Sequence, residues 1–141
     1  GLARGGREVR FMKLAKPAWG GHTGGRGGGV EAVRDIGEAI GKSLAAVEAL
    51  DGVALITADH GNCELMFDSA TGQPHTAHTS NPVPLILVDA KRRFGTLRDG
   101  GVLADVAPTM LSILDIPQPA AMTGTSLLAS PAEGSPPCTT S

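Results

Sequence analysis

Residues 57–84, TADHGNCELMFDSATGQPHTAHTSNPVP, hold the side chains of this chain best suited to chemistry. Asp59 and His60 open the motif, His75 and His78 follow within it, and His22 lies upstream in GGHTG. All four histidines therefore fall in or just before one region. A carboxylate oxygen beside imidazole nitrogens is a donor set for manganese or zinc. The Asp59-His60 dipeptide alone supports a plainer account, an acid that caps a turn and a half-buried, hydrogen-bonded imidazole. His75 and His78 change the balance, because they sit in a stretch rich in Thr and Gly rather than on an apolar face. His22 is flanked by glycines, which let a backbone approach a site closely and equally suit a surface position. The spacing points to a divalent-metal site.

Competing arrangements are weaker. Ser69, Thr76 and Ser80 stand near histidines, but none lies in a G-x-S-x-G elbow, and local hydroxyls commonly cap loops. Gly25 to Gly29 follow no strand and match neither glycine-rich nucleotide fingerprint. Cys63 reads as a small buried hydrophobe rather than a soft-metal ligand. Glu64 and Asp68 read as solvated loop acids.

Such a site needs elements to hold it. Val53–Thr57 is short, apolar and β-branched, which predicts a buried parallel strand. In α/β sheets ligands gather at the carboxyl ends of strands, and Asp59-His60 follow this one at once. Gly61 eases the turn that lets both groups reach one site. Residues 61–81 read as a loop with room for one short hairpin, able to fold back over the strand end and deliver an imidazole. Pro84–Val88 repeats the buried-strand signal. Upstream, Val30, Val33, Ile36, Ile40, Leu44, Val47 and Leu50 recur at helical spacing and predict an amphipathic helix ending near Asp51-Gly52. Seven of the ten residues at 20–29 are glycine, so an irregular segment is expected there. Leu103, Val106, Met110, Leu111 and Leu114 predict a second helix, with Pro108 tolerated in its first turn. Helix, strand, loop, strand, helix implies an α/β sheet covered by helices.

A length of 141 residues suits one domain. The net charge of −2 implies no general attraction to nucleic acid. The start is basic (Arg4, Arg7, Arg10, Lys13, Lys16, Arg26), yet only Phe11 and Trp19 are available for stacking, so it reads as a solvated end. Cys63 and Cys138 show no C-x-x-C spacing and fit a reducing compartment. No apolar run is long enough to cross a bilayer, and no signal-peptide core is present, so a cytoplasmic location is expected. The chain opens on Gly1 rather than Met, and a truncated sequence is expected.

TADHGNCELMFDSATGQPHTAHTSNPVPLILV resembles the signature of the 2,3-bisphosphoglycerate-independent phosphoglycerate mutases of the bacterial type. GGHTG at 20–24 resembles that family's upstream element, and LADVAPTMLSILDIPQPAAMTGTSLL its C-terminal segment. The likeness covers about residues 20–128, leaving 1–19 as an irregular basic start and 129–141 as a disordered tail. It implies an α/β, alkaline-phosphatase-like fold, here a partial parallel sheet flanked by helices. It further implies interconversion of 3-phosphoglycerate and 2-phosphoglycerate in glycolysis by metal-assisted phosphoryl transfer, with two Mn2+ ions. The family is usually monomeric, acts on a small molecule, and engages neither nucleic acid nor membrane. Carried over by position, Asp59 and His60 would bind one manganese, and His22 and His78 the other; His75 matches no ligand position.

The departures matter as well. Ala18 stands where the family has an aspartate ligand. The nucleophilic serine, a further aspartate and the substrate-gripping side chains belong to upstream regions outside these 141 residues, so no catalytic residue is assigned. The resemblance thus implies a C-terminal fragment of an isomerase, nearly inactive alone. The competing readings are a metal-binding remnant or truncated product without catalysis, and a phosphatase or sulfatase relative. A sheet of few strands also leaves open edges, and poor solubility is expected.

Overall fold

The computed structural model describes residues 8–14, 26–75 and 77–129. The chain forms two compact units, Gly1–Val88 and Asp89–Ser141. Most of the expected irregular start, with Ala18 and His22, and the tail beyond Ala129 lie outside the described residues.

In the first unit, helix α1 (Arg26–Ala49) starts ahead of the expected Val30 and runs through Gly27, Gly28 and Gly29, where an irregular segment was expected. A helix nucleated downstream gains one hydrogen bond per residue added, and this carries it through poor helix formers. Packing supplies a further reason for glycine: a Cβ on Gly29 would sit 2.7 Å from Met66 Cε. The covered stripe is correspondingly turned from the expected one. Ala32 is buried and Ile36, Ala39, Ile40, Ser43, Leu44 and Val47 are half-buried, whereas Val30, Val33 and Leu50 are exposed. Small side chains take part of the inner face because they permit the closer approach. The helix ends where expected, with Asp51 in the left-handed region (φ 55°) and the Gly52 N–H donating to the Val47 carbonyl at 2.8 Å.

Strand β1 (Ala54–Thr57) pairs with β4 (Leu85–Val88), in the register Ala54 to Val88 and Thr57 to Leu85. The pairing is antiparallel, which corrects the expected partial parallel sheet. A parallel pair needs a crossover, usually helical, and the described residues of 58–84 contain no helix, so the chain turns back alongside the strand it left. Both strands are half-buried rather than buried, with Ile86 48% exposed. A two-stranded sheet has two open edges and cannot enclose its own faces. Between the strands lies the short hairpin expected in the loop, β2 (Phe67–Asp68) against β3 (Gln73–Pro74). Its turn uses Gly72 at φ 67° and an Asp68 carboxylate that accepts the Ala70 N–H at 2.8 Å.

In the second unit a 3-10 turn (Leu103–Asp105) leads into α2 (Val106–Leu114), the second helix expected. Pro108 falls in the first turn, where its missing N–H costs no bond, and its side chain is fully buried. Thr109, with no exposed surface, is the hub. Its hydroxyl donates to the Asp105 carbonyl (2.7 Å) and accepts the Leu127 N–H (2.9 Å). The buried Asp105 carboxylate accepts the N–H groups of Thr125 (2.8 Å) and Val102 (2.9 Å). Those two bonds, Thr125 first, hold its pKa below the ordinary 3.8. Gly124 lies under the Ala104 carbonyl, so close that a Cβ would overlap it. No described helix is long and apolar enough to cross a membrane.

Two outcomes follow for the second unit. Thr109→Val leaves the buried Leu127 N–H without an acceptor and should destabilise by about 2 kcal/mol in chemical denaturation; Gly124→Ala should do so comparably through backbone overlap. Because the folded Asp105 pKa lies below the unfolded one, its stabilisation is complete above pH 3.8 and fades as pH falls further. Asp105→Asn should therefore flatten the acid limb of the stability profile, measured by circular dichroism.

Candidate metal centre

The corner is built by the end of β1 and the returning loop. Thr57 closes the strand and its hydroxyl donates to the Pro84 carbonyl at 2.8 Å, tying the loop's two ends. Asp59 and His60 follow in the turn. Gly61 then pairs with Thr79 in an isolated antiparallel bridge, Thr79 N–H to Gly61 carbonyl at 3.0 Å and Gly61 N–H to Thr79 carbonyl at 3.3 Å. This is the fold-back expected of the loop, and it delivers His78. The His60 and His78 ring centroids are 3.8 Å apart.

Gly61 is needed for space, not for the turn freedom expected of it. Its φ is not positive, but a Cβ would strike the Thr79 hydroxyl and the Glu64 carboxylate.

Asp59, two-thirds exposed, places Oδ1 3.6 Å from His60 Nε2 and Oδ2 3.6 Å from Lys13 Nζ. Its pKa is lowered, first by its own backbone N–H and then by His60 and Lys13. His60 Nδ1 lies 3.0 Å from the Gly61 carbonyl. A carbonyl only accepts, so Nδ1 carries a proton, and Nε2 is the ring nitrogen that faces Asp59. His78 is held the other way round: the Asn62 Nδ2 amide donates to its Nδ1 at 3.2 Å. Of the four residues expected at the metals, the structure thus brings Asp59, His60 and His78 to one corner, and His22 lies outside the described residues. His75 stands with the hairpin, its N–H on the Met66 carbonyl (3.0 Å) and its Nε2 buried without a hydrogen-bond partner.

Glu64, read from the sequence as a solvated loop acid, is bound on both oxygens. It accepts the Asn62 N–H (2.6 Å), the Thr79 hydroxyl and the Asn81 side-chain amide (3.1 Å). The Thr79 bond leads the effects that pull its pKa down to about 2. Lys13, Asn62, Thr79 and Asn81 were also missed. Only the density of hydrogen-bonding side chains around Gly61 hinted at them. Cys63 is half-buried rather than buried, its Sγ 3.6 Å from Asn62 Oδ1.

The donor chemistry fits a divalent ion at the Asp59–His60 edge. An oxygen and a nitrogen lone pair face each other there with no proton between them when His60 is neutral. Their separation is close to the roughly 3.4 Å between ligands of a tetrahedral ion. Among the described residues, however, no three His, Cys, Asp or Glu converge into one metal-holding group. Asp59 meets His60 and His60 meets His78, as a row rather than a cage. His78 fits less well, because Asn62 occupies its lone pair.

The profile of the metalloenzyme superfamily matches residues 8–118. The 2,3-bisphosphoglycerate-independent phosphoglycerate mutase of Cellvibrio japonicus is 55% identical over 108 residues, covering 77% of this chain and 20% of its own length. That of Pseudomonas fluorescens is 54% identical over 125 residues, covering 89% and 24% respectively. A crystal structure of Leishmania mexicana phosphoglycerate mutase at low cobalt concentration superposes with a TM-score of 0.63 at 29% identity, over 76% of this chain and 22% of that one. The chain spans about a fifth to a quarter of the length of these relatives. The α/β, alkaline-phosphatase-like class expected from the sequence agrees with these matches.

The hydrogen bonds require opposite tautomers in the metal-free chain, His60 protonated on Nδ1 and His78 on Nε2. Long-range 1H–15N correlation spectra should show this difference above the pH at which the rings are neutral. One shared tautomer would contradict the geometry.

Proposed function

The chain belongs to the metalloenzyme superfamily, and from that premise we propose that it carries part of the metal-binding corner of a 2,3-bisphosphoglycerate-independent phosphoglycerate mutase. Such an enzyme is an isomerase that interconverts 3-phosphoglycerate and 2-phosphoglycerate. The observation that carries the reading is the bridge between Gly61 and Thr79, which sets His78 beside His60 and Asp59. Asp59 and His60 hold one ion; His78, with His22, serves the other. Mn2+ is the ion the family likeness implies, and the relative crystallised with cobalt supports a divalent metal in general.

Bound divalent ions supply Lewis acidity, which lowers the pKa of an attacking hydroxyl and offsets charge on phosphoryl oxygens. The chain's own residues prepare for this. The Gly61 carbonyl fixes the His60 proton on Nδ1 and keeps Nε2 basic. Asp59 supplies negative charge, which the Lys13 ammonium balances in the metal-free chain. His78 would hold an ion through Nε2 with its proton on Nδ1, where the Asn62 side-chain oxygen would accept it.

We assign phosphoglycerate as the substrate of the whole enzyme, with a cytoplasmic setting and a monomeric state as in the family. Because this chain spans so little of its relatives' length, it is assigned no turnover of its own.

Manganese binding followed by electron paramagnetic resonance tests the metal reading. The 141-residue chain should bind Mn2+, and Asp59→Asn should weaken binding by about tenfold or more. Absence of binding would favour an inert remnant instead. With Mn2+ and 3-phosphoglycerate, product should stay at background; turnover near the ~10 s−1 of ordinary enzymes would overturn the assignment of inactivity.

A further inference from the structure

The two imidazoles share no hydrogen bond, and one isolated bridge is a slender support for their contact. A single residue pair cannot persist in water without further packing or bonding. Most of the additional bonds come from one side chain. Glu64 sits just past the Asp59–Gly61 turn and accepts hydrogen bonds from residues 15 and 17 positions away, the Thr79 hydroxyl and the Asn81 amide. Its other oxygen accepts the Asn62 N–H at 2.6 Å. Two chain segments that are otherwise joined, among the described residues, by the bridge, the Asn62–His78 bond and the ring contact are thus clamped by one carboxylate.

We propose that Glu64 is the positioning residue of the imidazole pair, its carboxylate locking the 78–81 turn onto the 59–62 turn so that His78 stays against His60. Three features support this. A charged acceptor makes hydrogen bonds roughly twice as strong as a neutral one, so the clamp is strong for its size. Its carboxylate passes over Gly61 at a distance no Cβ would allow, which gives that glycine its reason. Thr79, the residue it grips, directly follows His78 in the chain. Glu64 acts on the pair through its neighbours, the Thr79 hydroxyl, the Asn81 amide and the Asn62 N–H. Only its consequence for metal rests on the function proposed above.

The test uses the full chain and three substitutions, Glu64→Ala, Glu64→Gln and Thr79→Val. The main readout is the nuclear Overhauser cross-peak between His60 and His78 ring protons. The cross-strand peak between Leu55 and Leu87 reports the surrounding fold. Glu64→Ala should abolish the ring cross-peak and keep the strand peak. Glu64→Gln, which retains an oxygen for Thr79 and Asn81, should restore much of it. Thr79→Val keeps the side-chain shape and the backbone bridge but loses the hydroxyl, and should weaken the peak. Glu64→Ala should also weaken Co2+ binding, read from its visible absorption, by about tenfold, the scale of lost outer-shell support.

An unchanged ring cross-peak in Glu64→Ala would overturn the proposal. If Glu64→Ala unfolds the corner altogether, Thr79→Val decides: an unchanged peak there would overturn it equally. Failure of the unsubstituted chain to bind Co2+ would instead sink the metal reading, while the ring cross-peaks still decide the role of Glu64.

Discussion

The pairing of Gly61 with Thr79 is the constraint on which the candidate centre depends. β1 and β4 are joined by a long loop whose ends are already held by the Thr57 hydroxyl on the Pro84 carbonyl. Closing a loop further costs entropy that grows only slowly with length, so a second closure inside the first is cheap once the outer one exists. The bridge makes that second closure one residue after His60 and one residue after His78. In an antiparallel pair, side chains flanking a bridged position project to the same side, and here they are the two imidazoles. A shift of this register by one residue would send His78 to the opposite face. The bonds from Asn62 to His78 and from Thr79 and Asn81 to Glu64 are cross-ties on that register.

The sequence made the elements legible where periodicity or special residues dominate. The stop at Asp51-Gly52, the hairpin in the 61–81 loop and a helix tolerating Pro108 were all readable from local chemistry. Strand direction was not, because an apolar run such as Val53–Thr57 is equally compatible with a parallel interior strand and one half of an antiparallel pair. The helix start was misplaced because glycine counts reflect propensity, while Gly29 is set by its fit against Met66. At the corner, residue types singled out Asp59, His60 and His78 as candidates, since their donor chemistry is intrinsic. Glu64 stayed hidden: nothing about an isolated acid reveals which distant hydroxyl it will grip.

The described residues contain little buried apolar surface, with Ala32, Pro108 and Leu127 the buried apolar side chains among them. Local order comes largely from carboxylates that gather backbone N–H groups. Glu64 takes that of Asn62, Asp68 that of Ala70, Asp89 that of Phe94, and Asp105 those of Val102 and Thr125. Each is a charge-assisted bond that satisfies a turn donor no helix or ladder would reach. Carboxylates can pin turns in this way without a large apolar core, and they carry a common liability, because protonation removes the charge from every such bond at once.

Asp59 stands apart from that set. The other acids turn their oxygens inward to N–H groups of neighbouring residues, whereas the described partners of Asp59 across the corner are the Lys13 ammonium and the His60 ring. Both contacts are 3.6 Å long and lie at the surface, where an ion pair is worth little. Asp59 takes its own N–H and borders an imidazole and an ammonium, contacts that gather no turn donor from a neighbouring residue. Lys13 can leave for solvent without unravelling any backbone, while the Glu64 clamp could not be released without freeing His78. The two acids of the corner therefore have separate roles. Glu64 gives up its lone pairs to hold the shape, whereas the Asp59 carboxylate faces Lys13 and His60 at the surface. A cation taken up at this edge would need such a division on so lightly packed a frame, since a ligand that also supported the fold would have to loosen the frame each time the ion came or went.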